Sequence, residues 1–360
     1  MHQTCKYWLA LNKLPNVGPA TIKKLYDHFG SAEVIWNAAL DEIAKVDGVG
    51  IRQFNSIKNN RPGIDPDKEL EGVRELEILT LDDPDYPDLL KNIYDPPSIL
   101  YLKGKKEILS KKAIAIVGTR KPTSYGISIA QKLASELSRF GFVIVSGFAS
   151  GIDTAAHRGA LEAGGETVAV FGCGLDVIYP PENIRLAESI ASSGCLISEF
   201  PAGTQTSNWT FPQRNRLISG LSLGTIVVEG AEDSGSLITA KFALEQGREV
   251  FAIPGSVDNP NSKGPHSLIK QGAKLVESLA DILDEFNIPV PVSLPCRERD
   301  VSGLSDIERQ VYGILGMEPL HIDTISDKLS LPSQEASGVL MMLEIKGFVR
   351  QMQGKIFIKM

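Results

Sequence analysis

Between residues 111 and 285 six short apolar runs recur, most of them β-branched: AIAIVGT (113–119), FVIVSGF (142–148), TVAVFGC (167–173), CLISEF (195–200), TIVVEG (225–230) and EVFAIPG (249–255). Their hydrophobic positions are continuous rather than alternating. That is what a strand needs when both faces of its sheet are covered. The stretches between them have helical spacing. Strand alternating with helix predicts right-handed crossovers and a parallel, doubly wound α/β sheet over 111–285.

The pattern changes on either side. Residues 1–60 read as short helices around two similar glycine turns, LPNVGPATIKKL (14–25) and VDGVGIRQFNSI (46–57). This is the arrangement of a helix-hairpin-helix or SAM-like domain, whose turn lets backbone N–H groups approach a phosphate. A small helical bundle used for protein contacts has the same pattern. Residues 61–110 are rich in Pro and Asp and read as a connector leading into the core. Residues 286–303 have linker composition. In 304–360, helices over 305–316, 322–330 and 333–346 followed by two strands around Gly354 predict a winged-helix-like domain.

Composition narrows the class. A chain of 360 residues with 42% hydrophobic and 22% charged residues fits two or three globular domains. No apolar stretch is long enough to span a bilayer and no leader is evident, so a cytoplasmic protein without membrane contact is expected. Cys5, Cys173, Cys195 and Cys296 are scattered, which suggests a reducing compartment and no zinc.

Net charge is −7, which by itself argues against a nucleic-acid partner. The distribution reverses that argument. Residues 61–103 carry eleven acids and five bases, whereas 111–280 carry fifteen of each. Within the neutral block, Lys111–Ser135 and Phe200–Val228 contain no acid at all. Local charge, not the total, meets a phosphate.

The candidate chemistry sits at the ends of the predicted strands, where ligands of such sheets bind. The first turn supplies Gly118, Thr119, Arg120 and Lys121, with a helix expected from about Ser124 whose free N–H groups face the same place. A second turn offers Ser146 and Gly147, and a third, FGCGLDVIYPPEN (171–183), offers Gly174. A fourth holds Ser234, Gly235 and Ser236, with Lys241 further along its helix. None is G-x-G-x-x-G or G-x-x-x-x-G-K-[ST], so neither a dinucleotide nor an ATP site is indicated, and no cofactor is expected. A single strand–glycine turn is most simply a packing device. Several at one sheet edge suit a row of phosphates.

NWTFPQRNRLISG (208–220) adds Arg214, Asn215, Arg216, Ser219 and Gly220, with arginines as bidentate phosphate donors. Trp209 and Phe211 precede them and suit base stacking, though read alone they are more simply core residues. Asp153 and His157 stand i, i+4, but no third ligand accompanies them, so no metal is expected. Glu199 and Glu229 are the only plausible catalytic carboxylates.

Taken together, IAIVGTRKPTSYG, VSGFASGIDTAAHRGAL, FGCGLDVIYPPEN, LISEFPAGT, FPQRNRLISGLS and SGSLITAKFALEQGREVFAIPG resemble the DNA-processing protein A family (DprA, also called Smf), in order from about residue 80 to 280. The resemblance implies an extended Rossmann-like domain that binds single-stranded DNA without catalysing a reaction. It implies protection of incoming DNA, loading of a RecA-type recombinase during natural transformation, and a homodimer formed through that domain. By the same transfer Arg120, Arg214, Arg216 and Lys241 are the implied DNA contacts. The alternative is a nucleotide-binding enzyme of the phosphoribohydrolase-like Rossmann branch. EGAEDSGSLITA lacks the acid three residues after the turn that such an enzyme carries.

Overall fold

In the computed structural model the described residues are 5–73, 77–289, 303–315, 320–329, 331–352 and 354–359. They form two compact units, Met1–Pro291 and Val292–Met360.

The first unit is built on a nine-stranded sheet. Its strands are β1 (Glu77–Thr80), β2 (Ile99–Gly104), β3 (Ala113–Val117), β4 (Val143–Ser146), β5 (Thr167–Val170), β6 (Cys195–Ser198), β7 (Gly224–Val227), β8 (Glu249–Ala252) and β9 (Lys274–Leu275). They lie in the order β1-β2-β6-β5-β4-β3-β7-β8-β9. All pairings from β6 to β9 are parallel, whereas β1–β2 and β2–β6 are antiparallel. The six apolar runs are β3 to β8. Every residue of β3, β4, β5, β6 and β7 is buried, as continuous apolar runs require.

Six crossover and flanking helices matter below: α1 (Ser124–Arg139), α2 (Ile152–Glu162), α3 (Ile184–Ser193), α4 (Thr210–Gly220), α5 (Gly235–Glu245) and α6 (Lys263–Lys270). Helix α1 begins where expected, because Thr123 caps it: the Thr123 hydroxyl accepts from the Gly126 N–H at 3.2 Å.

The 61–110 segment is more than a connector. It supplies β1 and β2, which extend the sheet antiparallel to β6. Its prolines at 84, 87, 96 and 97 all fall between the two strands, where no ladder N–H is lost. Nor do the N-terminal helices bury a core of their own. Trp8, Leu11, Ile22 and Leu25 join one hydrophobic cluster with Leu79, Leu100 and Tyr101 of β1 and β2, and with the sheet face beyond. The Trp8 indole N–H donates to Asp82 at 2.6 Å, pinning the first helix to the turn after β1.

At the other end, Phe286 and Ile288 still pack on the core, so the chain remains part of this unit past residue 285. Residues 290–302 of the expected linker, Cys296 included, lie outside the described residues. The other three cysteines are free and buried.

The second unit has helices Asp306–Ile314, Ile322–Leu329 and Ser333–Ile345, and strands β11 (Val349–Met352) and β12 (Ile356–Lys359), close to the expected positions. A third strand, β10 (Leu320–His321), pairs with β12 and completes a winged helix. Two residues are too short for a periodicity signal.

Candidate nucleic-acid interface

From β3 the chain winds outward through β4, β5 and β6, then returns to β7 on the opposite side of β3. The carboxyl ends of β3 and β7 therefore diverge, and the crevice between them is the topological switch point of the sheet. A cleft of about 490 Å³ opens there. Gly118, Thr119, Arg120 and Lys121 line it from the β3 turn, Arg214 and Asn215 from α4, and Ser234, Gly235 and Ser236 from the start of α5.

The β3 turn is held from two sides. The Thr119 N–H donates to Glu229 O at 2.7 Å, and the Ile152 N–H donates to Thr119 O at 3.2 Å. A Cβ on residue 118 would stand 2.6 Å from the Ile152 side chain and 2.8 Å from Glu229 O, so only glycine fits. Arg120 and Lys121 are thereby projected outward, both exposed.

The α1 terminus behaves differently from expectation. The Glu229 carboxylate is buried under it and accepts from the Thr123 N–H at 2.9 Å and the Thr123 hydroxyl at 2.6 Å. The protein's own anion already occupies this helix end, so the cleft's positive character comes chiefly from its arginines and lysine. Glu229 is consumed as a cap. Glu199, the other candidate carboxylate, is buried against Arg216 with an Nη2 to Oε2 distance of 2.6 Å.

Arg214 forms the floor of the cleft. Its guanidinium is buried and donates to Gly147 O and Val170 O, at the ends of β4 and β5, while Nε donates to Asn215 Oδ1 at 3.1 Å. Burial lowers its pKa to about 10, which leaves it charged at neutral pH. Asp153 lies alongside: a Cβ on Gly147 would touch both Asp153 Oδ2 and Arg214 Nη2. Burial raises Asp153 to about 6, and the Arg214 charge opposes that rise. Asp153 also lines the cleft, a placement the sequence did not reveal.

Other residues expected at the site lie elsewhere. Arg216 is two positions beyond Arg214 and projects from a different face of α4. It is 2% exposed and pairs with Asp95 at 2.9 Å as well as with Glu199. Ser219 is buried, and Gly220 gives the closeness that Leu90 and Ile93 need to pack on α4. Ser146 is buried and donates to Ile116 O at 2.6 Å. Gly174 lets Asp176 and Pro201 close over its turn. Lys241 is exposed on α5, beside Glu245, and does not line the cleft. Ser146, Gly174, Arg216, Ser219 and Gly220 are thus spent inside the protein, and Lys241 stands outside the cleft.

An aromatic shelf continues from the cleft toward β5 and β6. The Arg120 guanidinium lies 4.9 Å from the centre of the Phe211 ring, and Tyr179 lies 6.0 Å beyond Phe211. Trp209 is 61% exposed, with Phe200 edge-on at 5.8 Å. Trp209 is therefore not core, and Phe211 lines the cleft. Tyr179, 44% exposed, was missed: its turn stood out for glycine, and nothing in IYPPEN marks the ring as outward-facing.

His157 is buried, and its Nδ1 lies 2.7 Å from Thr167 Oγ1, whose own proton goes to Ile144 O. Nδ1 is therefore the donor, and burial pushes the ring's pKa down to about 3, so it is neutral. Among the described residues no group of three or more His, Cys, Asp or Glu is arranged to hold a metal, and no helix is long and apolar enough to cross a membrane.

A Rossmann-like sheet with an arginine-floored switch-point cleft, joined to helix-hairpin-helix helices and followed by a winged helix, defines the class of protein. Residues 77–287 match the DNA recombination-mediator protein A family, 297–355 the DprA winged helix domain and 9–59 a SAM-like helix-hairpin-helix tandem. The chain is 37% identical to the protein Smf of Synechocystis over 97% of both chains. It is 51% identical to the DNA processing protein DprA of Bacillus subtilis over 59% of this chain and 71% of that one. The crystal structure of DprA from Streptococcus pneumoniae superposes with a TM-score of 0.70 at 39% identity, covering 79% of this chain and 98% of that one. A Helicobacter pylori DprA structure described for its single-stranded DNA binding mode gives a TM-score of 0.53 at 31% identity, over 59% and 96%. The chain belongs to the DprA/Smf family of DNA processing proteins.

Proposed function

We propose that the protein binds single-stranded DNA across the carboxyl edge of its sheet, shields incoming strands and loads a RecA-type recombinase onto them, in the cytoplasm and as a homodimer. It does this as a binding protein, without a cofactor or a catalytic step. The observation that carries the reading is the continuity of the cleft with the aromatic shelf. Arg120, Lys121 and Arg214 meet phosphates, while Phe211, Tyr179 and Trp209 present rings to unpaired bases. A duplex hides its base faces and gains nothing from such a shelf, whereas each base stacked on an aromatic is worth about 1–3 kcal/mol. The Helicobacter pylori relative, whose structure is described by its single-stranded DNA binding mode, supports the same ligand.

The test is a fluorescence-anisotropy titration with labelled oligonucleotides. Single strands of unrelated sequence are expected to bind with similar affinity and more tightly than duplex, with a log–log salt slope of about −0.7 per phosphate neutralised. Equal affinity for duplex, or binding that does not respond to salt, overturns the reading.

A further inference from the structure

In the winged-helix unit, the helix Ser333–Ile345 buries Ala336, Leu340 and Leu343. Its opposite side carries Gln334, Gly338, Met341 and Ile345, spaced four, three and four residues apart, so they fall in one stripe. Met341 is 63% and Ile345 70% exposed, and Met342 beside them is also exposed. Glu344 borders the stripe on one side and Glu335 on the other, both exposed. A Cβ added at Gly338 would meet nothing within 4 Å, so the stripe has an open notch at its centre.

This is the helix that a winged-helix DNA reader lays in the major groove. Such a reader needs Arg, Lys, Asn or Gln along that face. Here only Gln334 qualifies. Lys346, just past the helix, is tied to Glu308 at 2.7 and 2.8 Å. Two exposed carboxylates would face phosphate.

We infer that this face is a docking seam for a partner helix that is apolar along one stripe and flanked by Lys or Arg. The seam spacing matches helix-on-helix packing, the notch at Gly338 lets the partner backbone come close, and the methionines adapt to its side chains. The two glutamates select basic flanks by charge complementarity. The helix holds no Lys or Arg with which a second copy could meet these glutamates, so self-pairing is disfavoured.

The inference is tested on the full chain with two synthetic helical peptides that share a leucine seam, one flanked by lysines and one by glutamates. The lysine-flanked peptide is expected to bind. Ile345→Lys and Met341→Lys, both at exposed positions that leave the core intact, are expected to weaken it about tenfold or more. Glu335→Lys should shift preference toward the glutamate-flanked peptide, while Asp323→Lys on a neighbouring helix should not. Equal binding of both peptides, or wild-type binding by Ile345→Lys and Met341→Lys, overturns the inference. So does a dimer mass that Ile345→Lys abolishes, which would make the occupant a second copy, or displacement of the peptide by duplex DNA.

Discussion

Arg120 lines the cleft whereas Arg216 is buried in ion pairs outside it, and their substitutions should read differently. Arg120 is exposed, and among the described residues its guanidinium rests on the Phe211 ring, so Arg120→Ala should leave stability within about 0.5 kcal/mol. It should still weaken single-strand binding and flatten the salt slope by about one contact. Arg216→Ala should do the reverse, because it strips the partner from buried Glu199. A loss of about 3–5 kcal/mol in unfolding free energy is expected, with the salt slope unchanged. A flattened slope in folded Arg216→Ala would return that residue to the DNA contacts.

His157 gives a pH test at the same scale. Its ring titrates near 6.5 when unfolded and is held down to about 3 when folded. The fold therefore favours the neutral ring. The stability this adds is present above pH 6.5 and is lost as pH falls toward 3. Buried Asp153 works the other way, since its folded value near 6 exceeds its unfolded 3.8. Its penalty is full above pH 6 and fades as pH falls toward 3.8. His157→Asn keeps a donor for Thr167 but cannot titrate. Urea midpoints measured from pH 7 to 4 should show the variant weaker at neutral pH and the gap narrowing as the solution is acidified. Parallel curves would show that His157 does not contribute the acid sensitivity.

At the scale of elements, the N-terminal helices and the first two strands behave as one structure. Trp8 is fully buried, packs into the cluster shared with β1 and β2, and bonds to Asp82. Trp8→Ala should therefore cost about 3–5 kcal/mol and lower the stability of the sheet along with the helices. Hydrogen exchange of the β2 and β6 amides offers the check. Unchanged protection there would mean that the helices unfold separately. The proposed dimer is also an element-scale question. Leu275, on the edge strand β9, is 43% exposed and is our candidate contact between protomers. Leu275→Arg should convert a dimer mass to a monomer mass in light scattering.

For the whole molecule, the chain divides at residue 291 into two compact units, and the proposed DNA site lies in the first. Residues 304–360 carry six bases and seven acids, and the exposed helix stripe is apolar. A chain ending after Asp300 should bind a single-stranded oligonucleotide within about tenfold of the full protein, a difference under about 1.4 kcal/mol. A larger loss would make the winged helix a DNA reader.

The sequence by itself determined the sheet core, the glycine turns and the winged helix. Six continuous apolar runs, with helical stretches between, leave little choice but a parallel sheet covered on both faces. β1, β2 and β9 escaped notice because β1 and β9 are short edge strands, β2 closely follows Pro96 and Pro97, and the pairing of all three is set by distant neighbours. Only the tertiary structure decided which residues of FPQRNR face the cleft. Arg214 and Arg216 are the same residue type two positions apart, and nothing local distinguishes them. The carboxylates that separate them, Asp95, Asp153 and Glu199, come from distant parts of the chain and are brought to α4 by the winding of the sheet. Likewise, Trp209 read alone is more simply a core residue, yet the fold leaves its ring in solvent, because exposure belongs to the packed whole and not to the residue.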